Sequence, residues 1–259
     1  MFGKLLIFIS FALALASSYF FFSANKDEKR IKNARFVYYL ASFGILLSSA
    51  LLLINILNHN FQYTYIYSYS SKELPFSLLL STFWAGQEGS FLLWNLFTAI
   101  IGVFFITNIK GKSLEPIAMG VYSLIFAFML VTLIAKSPFE FVWETYTQSN
   151  IQVGFTPENG RGLNPILENF WIIIHPPILF IGYALLAVPF SISFASLCKK
   201  EYEEWNEFSL PWTNISGAIL GLGLMLGGFW AYETLGWGGF WGWDPVENSS
   251  LIPWMLAVA

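Results

Sequence analysis

Long runs of apolar residues, separated by short polar segments, fill most of this chain. Six runs are long enough to cross a bilayer as helices, for which about 20 residues are needed. They cover residues 5–22, 36–57, 91–107, 117–135, 176–197 and 215–230. A seventh run begins after Asn248 and is cut off at Ala259. The pattern predicts an all-α polytopic transmembrane protein with about six complete spans and a truncated seventh, forming one integral membrane domain over residues 1–259.

The composition excludes several classes of protein. With 56% hydrophobic and only 11% charged residues, and a mean hydropathy of +0.59, the chain cannot be an ordinary soluble domain. Cys198 is the only cysteine, which excludes an internal disulfide and a CxxC thiol-exchange motif. The sequence contains no HExxH motif, no glycine-rich phosphate loop and no basic surface of the kind that binds nucleic acid. Hydrolysis and nucleic-acid binding therefore have no support.

The positions of lysine and arginine predict the orientation, because cytoplasmic loops carry an excess of both. The loops after the first, third and fifth spans are the richest, with Lys26, Lys29, Arg30, Lys32, Arg35, Lys110, Lys112, Lys199 and Lys200. We expect these loops to be cytoplasmic, which places segment 230–248 on the outer face. The first span, with its cleavage-like Ala14-Leu15-Ala16, is alternatively a signal peptide, but the basic cluster that follows favours a retained span.

Segment 230–248 is rich in tryptophan and glycine. Trp230, Trp237, Trp241 and Trp243 alternate with glycines, and Asp244 follows them. Glycine lets another group approach the backbone, and tryptophan supplies a flat apolar face. The composition favours a surface on which a large planar π-system lies, and haem is the obvious candidate.

His175 is the candidate iron ligand at this outer face. It directly precedes Pro176 and Pro177, and a proline is well accepted in the first turn of a helix. We therefore expect the fifth span to begin at Pro176, with His175 at its mouth, where an imidazole can be an axial ligand of haem iron. The alternative is an interfacial histidine with no ligand. His59, the other histidine, is flanked by asparagines and is expected to be solvated.

Four carboxylates adjoin apolar runs. Asp244 and Glu247 are expected either to anchor an indole N–H or to begin a helix, with Asp244 as the N-cap and Pro245 at the first helical position. Glu88 and Glu168 are functional candidates if they lie inside the membrane, where a carboxylate is costly. If they lie outside the hydrocarbon, they are ordinary residues at helix starts.

Several of these motifs together resemble a known family. The stretch Trp237-Gly238-Gly239-Phe240-Trp241-Gly242-Trp243-Asp244 resembles the "WWD" signature of the haem-handling proteins of cytochrome c biogenesis. Within that superfamily the chain is most similar to the CcmF-type haem lyase subunits. Residues 84–94, Gly162-Leu163-Asn164-Pro165 and His175-Pro176-Pro177 support the likeness.

The resemblance implies a function and a site. Segment 228–248 is then a haem-binding surface on the periplasmic side of the inner (cytoplasmic) membrane, and His175 is an iron ligand. The expected haem-binding residues are Trp230, Trp237, Trp241, Trp243, Asp244 and Glu247. The implied activity is to hold b-type haem, as substrate or bound cofactor, and to assist its attachment to the CxxCH motif of apocytochrome c. The implied partners are a haem chaperone, apocytochrome c and the other membrane subunits of cytochrome c maturation.

The family pattern also expects an external histidine after the WWD segment and further histidines within the membrane, and this chain has neither. We therefore expect a fragment, or one part of a split protein, whose site is incomplete alone and whose lyase activity is absent in isolation. Two alternatives stay open. One is a haem transport or delivery protein of the same superfamily, and the other is an ion-coupled transporter or respiratory subunit with Glu88 and Glu168 along its path.

Overall fold

The protein is a bundle of long apolar helices. The computed structural model describes residues 1–24, 27–147, 151–234, 236 and 238–259. The helices are α1 (Phe2–Phe22), α2 (Glu28–Leu57), α3 (Thr64–Tyr69), α4 (Phe76–Ala85), α5 (Gln87–Ile109), α6 (Glu115–Ala135), α7 (Val142–Thr145), α8 (Trp171–Lys199), α9 (Glu203–Thr234) and α10 (Pro245–Val258). A 3₁₀ helix covers Pro165–Leu167. Within these ranges the only β-type pairing is a single bridge between Tyr63 and Phe141.

Six helices, α1, α2, α5, α6, α8 and α9, are long and apolar enough to span a membrane. The chain is thus an all-α, multi-pass membrane protein, which confirms the predicted fold class. Each predicted span lies inside one of these helices, although most helices extend further by several residues at one or both ends. The ten-residue helix α4 was not predicted, because an apolar run of that length is too short to span.

The core lies among α1, α2, α5 and α6, where large side chains are fully buried. Tyr38, Tyr122 and Phe126 meet at its centre, with ring centroids 5.8–6.4 Å apart around Tyr38. The hydroxyls of Tyr38 and Tyr122 both donate to the carbonyl oxygen of Thr98, at 3.2 and 2.9 Å. The phenols are therefore satisfied by helix carbonyls, and the interior is filled.

The helices α8 and α9 pack through small residues instead. A Cβ placed on Gly182 would come within 2.8 Å of Leu220 Cα, and one placed on Gly223 within 3.1 Å of Leu179 Cα. Gly217 and Gly221 face α10, where the indole N–H of Trp254 donates to the carbonyl of Gly217 at 3.0 Å. The glycines of α9 thus allow close packing on two faces of this helix, against α8 on one face and against α10 on the other.

The two ends of the bundle differ in chemistry. The turns α1–α2, α5–α6 and α8–α9 meet at one end, here called the basic end, which carries most lysines and arginines. The opposite end, here called the aromatic end, contains the start of α8, the end of α9 and segment 238–244. Alternating helix directions produce this separation, as the sequence predicts.

Candidate functional site

His175 lies inside α8 and does not stand at its mouth. The helix begins at Trp171, so the prediction that Pro176 opens it is wrong. Asn169 caps the true start, since its side-chain oxygen accepts from the N–H groups of Trp171 and Ile172 at 2.9 and 3.3 Å. His175 therefore follows one full helical turn and faces α9 rather than a loop.

A tryptophan from another helix explains why α8 continues through its prolines. Pro176 has no N–H, so the carbonyl of Ile172, four residues earlier, lacks its helical partner. The indole N–H of Trp84, at the end of α4, donates to this carbonyl at 2.6 Å. Trp84 thereby replaces the missing hydrogen bond and fixes the helical turn that contains His175.

The ring of His175 is held against α9. Its Nδ1 lies 3.0 Å from the carbonyl oxygen of Gly223, which can only accept, so Nδ1 carries the proton. This leaves Nε2 with a free lone pair, and the described residues offer it no hydrogen bond. Gly227 gives the ring its room, because a Cβ there would lie 2.7 Å from Cε1 of His175. A histidine that donates one ring N–H to a carbonyl has the arrangement usual for a metal ligand.

His175 lines a cavity of ≈ 140 Å³ between α8, α9 and segment 238–250. Trp230 and Trp241 also line it, and the Trp230 ring meets the imidazole edge to face at 5.6 Å. The indole Nε1 atoms of Trp230 and Trp241 are both buried without a hydrogen-bond partner in the described part of the chain. An unpaired buried donor costs about 1–3 kcal/mol, so these two indoles make this region less stable than a fully paired one.

Asp244 and Glu247 hold the backbone of the segment. Asp244 is the N-cap of α10 and accepts from the N–H of Glu247 at 2.7 Å, with Pro245 at the first helical position. Glu247 accepts in return from the N–H of Asp244 at 3.3 Å and from that of Gly242 at 2.9 Å. The predicted N-cap is therefore present, and both carboxylates serve backbone N–H groups rather than an indole.

Trp230, Trp241 and Trp243, the described tryptophans of the segment, do not form one continuous stacked surface. Trp243 is 71% exposed and has a positive φ of 57°, and its carbonyl accepts from the Asn248 side chain at 3.1 Å. Its ring meets Trp241 edge to face at 5.9 Å. Trp237 lies outside the described residues. Trp230 and Trp241 thus point to the cavity, and Trp243 points to the surroundings.

Sequence reasoning missed an aromatic tie between α8 and α9. The indole N–H of Trp171 donates to Glu233 at 2.7 Å, and its ring stacks on Phe229 at 6.0 Å. Phe240 stacks in turn on Tyr232 at 4.4 Å. Contacts of this kind, between residues far apart in sequence, leave no signature in a single sequence.

An apolar cleft of ≈ 380 Å³ adjoins the cavity. It lies between α9, α10 and segment 238–244. It shares Leu224, Gly228 and Trp241 with the cavity. Cavity and cleft are therefore neighbours that share one wall, with His175 on the side of the cavity and apolar side chains around the cleft.

Glu88, Glu168 and His59 do not join this site. Glu88 lies in the first turn of α5, and Glu168 is exposed after the 3₁₀ helix. Neither carboxylate lies midway along a spanning helix, as a transport path requires. His59 follows the end of α2 with a φ of 49° and packs on Phe61 at 5.8 Å. It is half-buried, and its Nδ1 has no partner among the described residues, so the expectation of a solvated ring is wrong.

Comparison with known proteins decides the family. The family model described as "Cytochrome C assembly protein" matches residues 84–259, a region that begins at Trp84 and includes His175 and segment 228–248. The chain belongs to this cytochrome c assembly family. The resemblance expected from the sequence is confirmed.

Relatives within the cytochrome c assembly family are CcmF-type proteins. The chain is 33% identical to "Cytochrome c-type biogenesis protein CcmF" of Pseudomonas fluorescens, over 87% of this chain and 32% of that protein. It is 32% identical to the CcmF protein of Escherichia coli strain K12, over 99% of this chain and 39% of that protein. A solved structure titled "Cytochrome c Heme Lyase CcmF" superposes with a TM-score of 0.76 at 28% identity, covering 100% of this chain and 41% of the other. The chain thus spans about a third of the length of these relatives.

Proposed function

We propose that this chain takes part in cytochrome c biogenesis by holding haem at its aromatic end while the haem is attached to apocytochrome c. The observation that carries the proposal is the state of His175. Its Nδ1 is bound to Gly223 and its Nε2 is free, beside a cavity walled by two unpaired indoles. Family membership supports the same function, because relatives are described as cytochrome c biogenesis proteins and a haem lyase.

The residues present fit haem in chemistry and in size. Nε2 of His175 is a suitable donor for iron, and its orientation is fixed by the second hydrogen bond of the ring. A cavity of ≈ 140 Å³ is small beside the roughly 300–1,000 Å³ of typical ligand pockets, but the cleft of ≈ 380 Å³ extends it. A porphyrin would therefore extend from one space into the other, past Trp241.

In this proposal the protein positions the substrates rather than transforming them. Thioether bonds form when the cysteine S–H groups of an apocytochrome CxxCH motif add across the haem vinyl groups. His175 would hold the iron, and Trp230 and Trp241, which line the cavity, would pack beside the ligand. Asp244 and Glu247 act indirectly, since their capping hydrogen bonds hold the backbone that carries Trp241. Holding reactants in a productive geometry is itself a large contribution to rate.

The proposal includes a place in the cell and a set of partners. The concentration of lysine and arginine at the basic end supports a cytoplasmic location for that end. The aromatic end would then face the periplasm across the inner membrane. The proposed partners are b-type haem as substrate, the chaperone that delivers it, apocytochrome c and the other membrane subunits of the maturation system.

Haem titration of the purified chain tests the proposal. The wild type is expected to bind haem with an absorption spectrum typical of histidine ligation. His175→Ala is expected to weaken binding at least tenfold or to shift the spectrum. His59→Ala is the matched control, because it removes the other histidine of the chain, and it should bind haem as the wild type does. A folded wild-type chain that binds no haem, or equal effects of the two substitutions, would contradict the proposal.

A further inference from the structure

Five basic side chains line a second cavity, at the basic end of the bundle. The cavity measures ≈ 430 Å³, and its walls are the start of α2, the α5–α6 turn and the end of α8. Its basic residues are Lys32, Arg35, Lys110, Lys112 and Lys199. The lining carboxylates are Glu28 and Glu115. Because cations outnumber carboxylates, the cavity has a positive potential that attracts anions.

The carboxylate of Glu115 does not neutralise the lysines, because both of its oxygens already accept hydrogen bonds from other groups. Its side chain is 1% exposed and accepts from Arg35 Nε and Nη2 at 2.5 and 2.6 Å. It also accepts from the N–H of Gly111 at 2.7 Å. These three bonds hold the α5–α6 turn against α2. The ion pair is therefore part of the cavity wall, and it does not neutralise the positive charge of the lysines.

The lysines lack carboxylate partners. No carboxylate oxygen of the described side chains lies within 4.0 Å of the Nζ atoms of Lys32, Lys110, Lys112 and Lys199. Lys199 donates to the carbonyl of Ser113, and Lys112 lies 4.8 Å from the centre of the Phe208 ring. Glu201 accepts from the hydroxyl of Ser113 beside the cavity, but even with Glu201 the five basic residues outnumber the three carboxylates, so the cavity offers several donors to one anion.

We propose that this cavity binds the phosphate group of an anionic phospholipid. The cavity lies where four helices that are long and apolar enough to span a membrane begin or end, which is where lipid headgroups are expected. Ile31 and Pro116 give it apolar walls beside the lysines. Phe36, which is exposed and four residues after Lys32, extends the apolar surface on the same side of α2. A ligand with phosphate at one end and hydrocarbon at the other matches this arrangement, and basic pockets between transmembrane helices bind such headgroups.

Binding of short-chain phosphatidylglycerol to the purified chain in neutral detergent tests this site. The cavity variant carries Lys32→Gln and Lys110→Gln, two exposed lysines with no side-chain hydrogen bond among the described residues. The matched control carries Lys29→Gln and Lys200→Gln, which remove the same charge from the same end outside the cavity lining. Phosphatidylcholine of equal chain length and inorganic phosphate are the comparison ligands.

The cavity variant is expected to bind phosphatidylglycerol about tenfold more weakly or worse, because two basic residues close to the headgroup are lost. The control should change binding less than about threefold, and phosphatidylcholine should bind as weakly to the wild type as phosphatidylglycerol does to the cavity variant. Equal weakening by both variants, or equal binding of the two lipids, would overturn the site. Inorganic phosphate that binds as tightly as phosphatidylglycerol, with the same lysine dependence, would overturn the lipid as its occupant.

Discussion

The helices of the α1–α6 core and those of the α8–α10 region pack against one another through different kinds of side chain. In the core, large side chains such as Tyr38, Tyr122 and Phe126 fill the interior, and the two tyrosine hydroxyls donate to carbonyls. Between α8 and α9, glycines bring the backbones together. The large aromatic side chains of this region lie at the aromatic end of the bundle. The Nε1 atoms of Trp230 and Trp241 have no hydrogen-bond partner among the described residues.

The difference shows which region is specialised for stability and which for binding. A filled interior has no room for a ligand, although some of its small buried hydroxyls, such as those of Ser10, Ser42 and Ser48, have no partner among the described residues. Around His175, by contrast, the free Nε2 belongs to a ring that lines a cavity, so a ligand has space beside it. Substitutions in the core should therefore change folding, and substitutions around His175 should change haem binding.

Truncation in the core should give the largest effect. Phe126→Ala is expected to lower the free energy of unfolding by about 3–5 kcal/mol, because it leaves a cavity among helices that cannot collapse. Phe128→Ala, two residues later on α6 but 70% exposed, is the matched control and should change stability by less than about 0.5 kcal/mol. Denaturant titration in mixed micelles measures both. Similar losses for the two variants would mean that α6 is not packed as described.

A single methyl group beside His175 should affect binding more than folding. Gly227→Ala places a Cβ 2.7 Å from Cε1 of His175 and must displace the ring. We expect haem affinity to fall about 10–100-fold, as when the surroundings of a metal ligand are disturbed. Gly239→Ala is the control, since a Cβ there meets nothing within 4 Å. Titration with haem measures the affinity of both variants. An unchanged affinity in Gly227→Ala would show that haem binding does not depend on the position of the His175 ring.

Loss of the hydrogen bond from Trp84 should have a smaller effect on the same site. Trp84→Phe keeps an aromatic ring but leaves the carbonyl of Ile172 without a donor. The expected result is a loss of about 1 kcal/mol in stability and of about tenfold in haem affinity. Trp94→Phe removes an indole whose N–H makes no hydrogen bond among the described residues, so it controls for ring size. If both variants lose affinity equally, Trp84 acts through packing alone.

The smallest effect concerns pH and a contact far from the haem site. Burial opposes ionisation of Glu144, but the ammonium group of Lys4 at 2.7 Å and the N–H of Phe141 outweigh it and hold the pKa of that carboxyl below its usual value. A depressed pKa in the folded state contributes stability above the unfolded pKa of about 4.3, and this is lost as pH falls through the folded value.

The size of this contribution should be below about 1 kcal/mol, because both side chains are partly exposed. Glu144→Gln should therefore be slightly less stable than the wild type at neutral pH, and the gap should close as pH falls through the folded-state pKa of Glu144. Thermal melting at neutral pH and at a series of acidic pH values measures the difference. A gap that stays constant with pH would contradict the ionic origin.

The spans could be predicted from the sequence, and the site only in part. Apolar runs of about 20 residues determine where helices cross, so all six spans were located. The capping role of Asp244 was also predictable, because N-caps depend on neighbouring residues alone. The start of α8 was not predicted, because the proline pair is the stronger local signal and hides the cap at Asn169, while the carbonyl of Ile172 is satisfied by Trp84, 88 residues away in sequence.

The local rule for proline was overridden by this tertiary contact. From sequence alone, a proline pair marks a helix start, and the residue before it leaves helical geometry. Here His175 stays helical, and a tryptophan of α4 supplies the donor that Pro176 cannot give to Ile172. The tautomer of His175 likewise depends on Gly223, on another helix, and no sequence pattern indicates that pairing.

Imidazole rescue tests the central claim, that Nε2 of His175 is the free ligand of the site, most directly. The chain with His175→Gly would be loaded with haem, and its electron paramagnetic resonance and absorption spectra recorded with and without added imidazole. The account predicts that the wild-type spectrum is lost in the variant and restored by imidazole, because the small ligand occupies the vacated position beside Gly227. A variant whose haem spectrum equals that of the wild type before imidazole is added would contradict it.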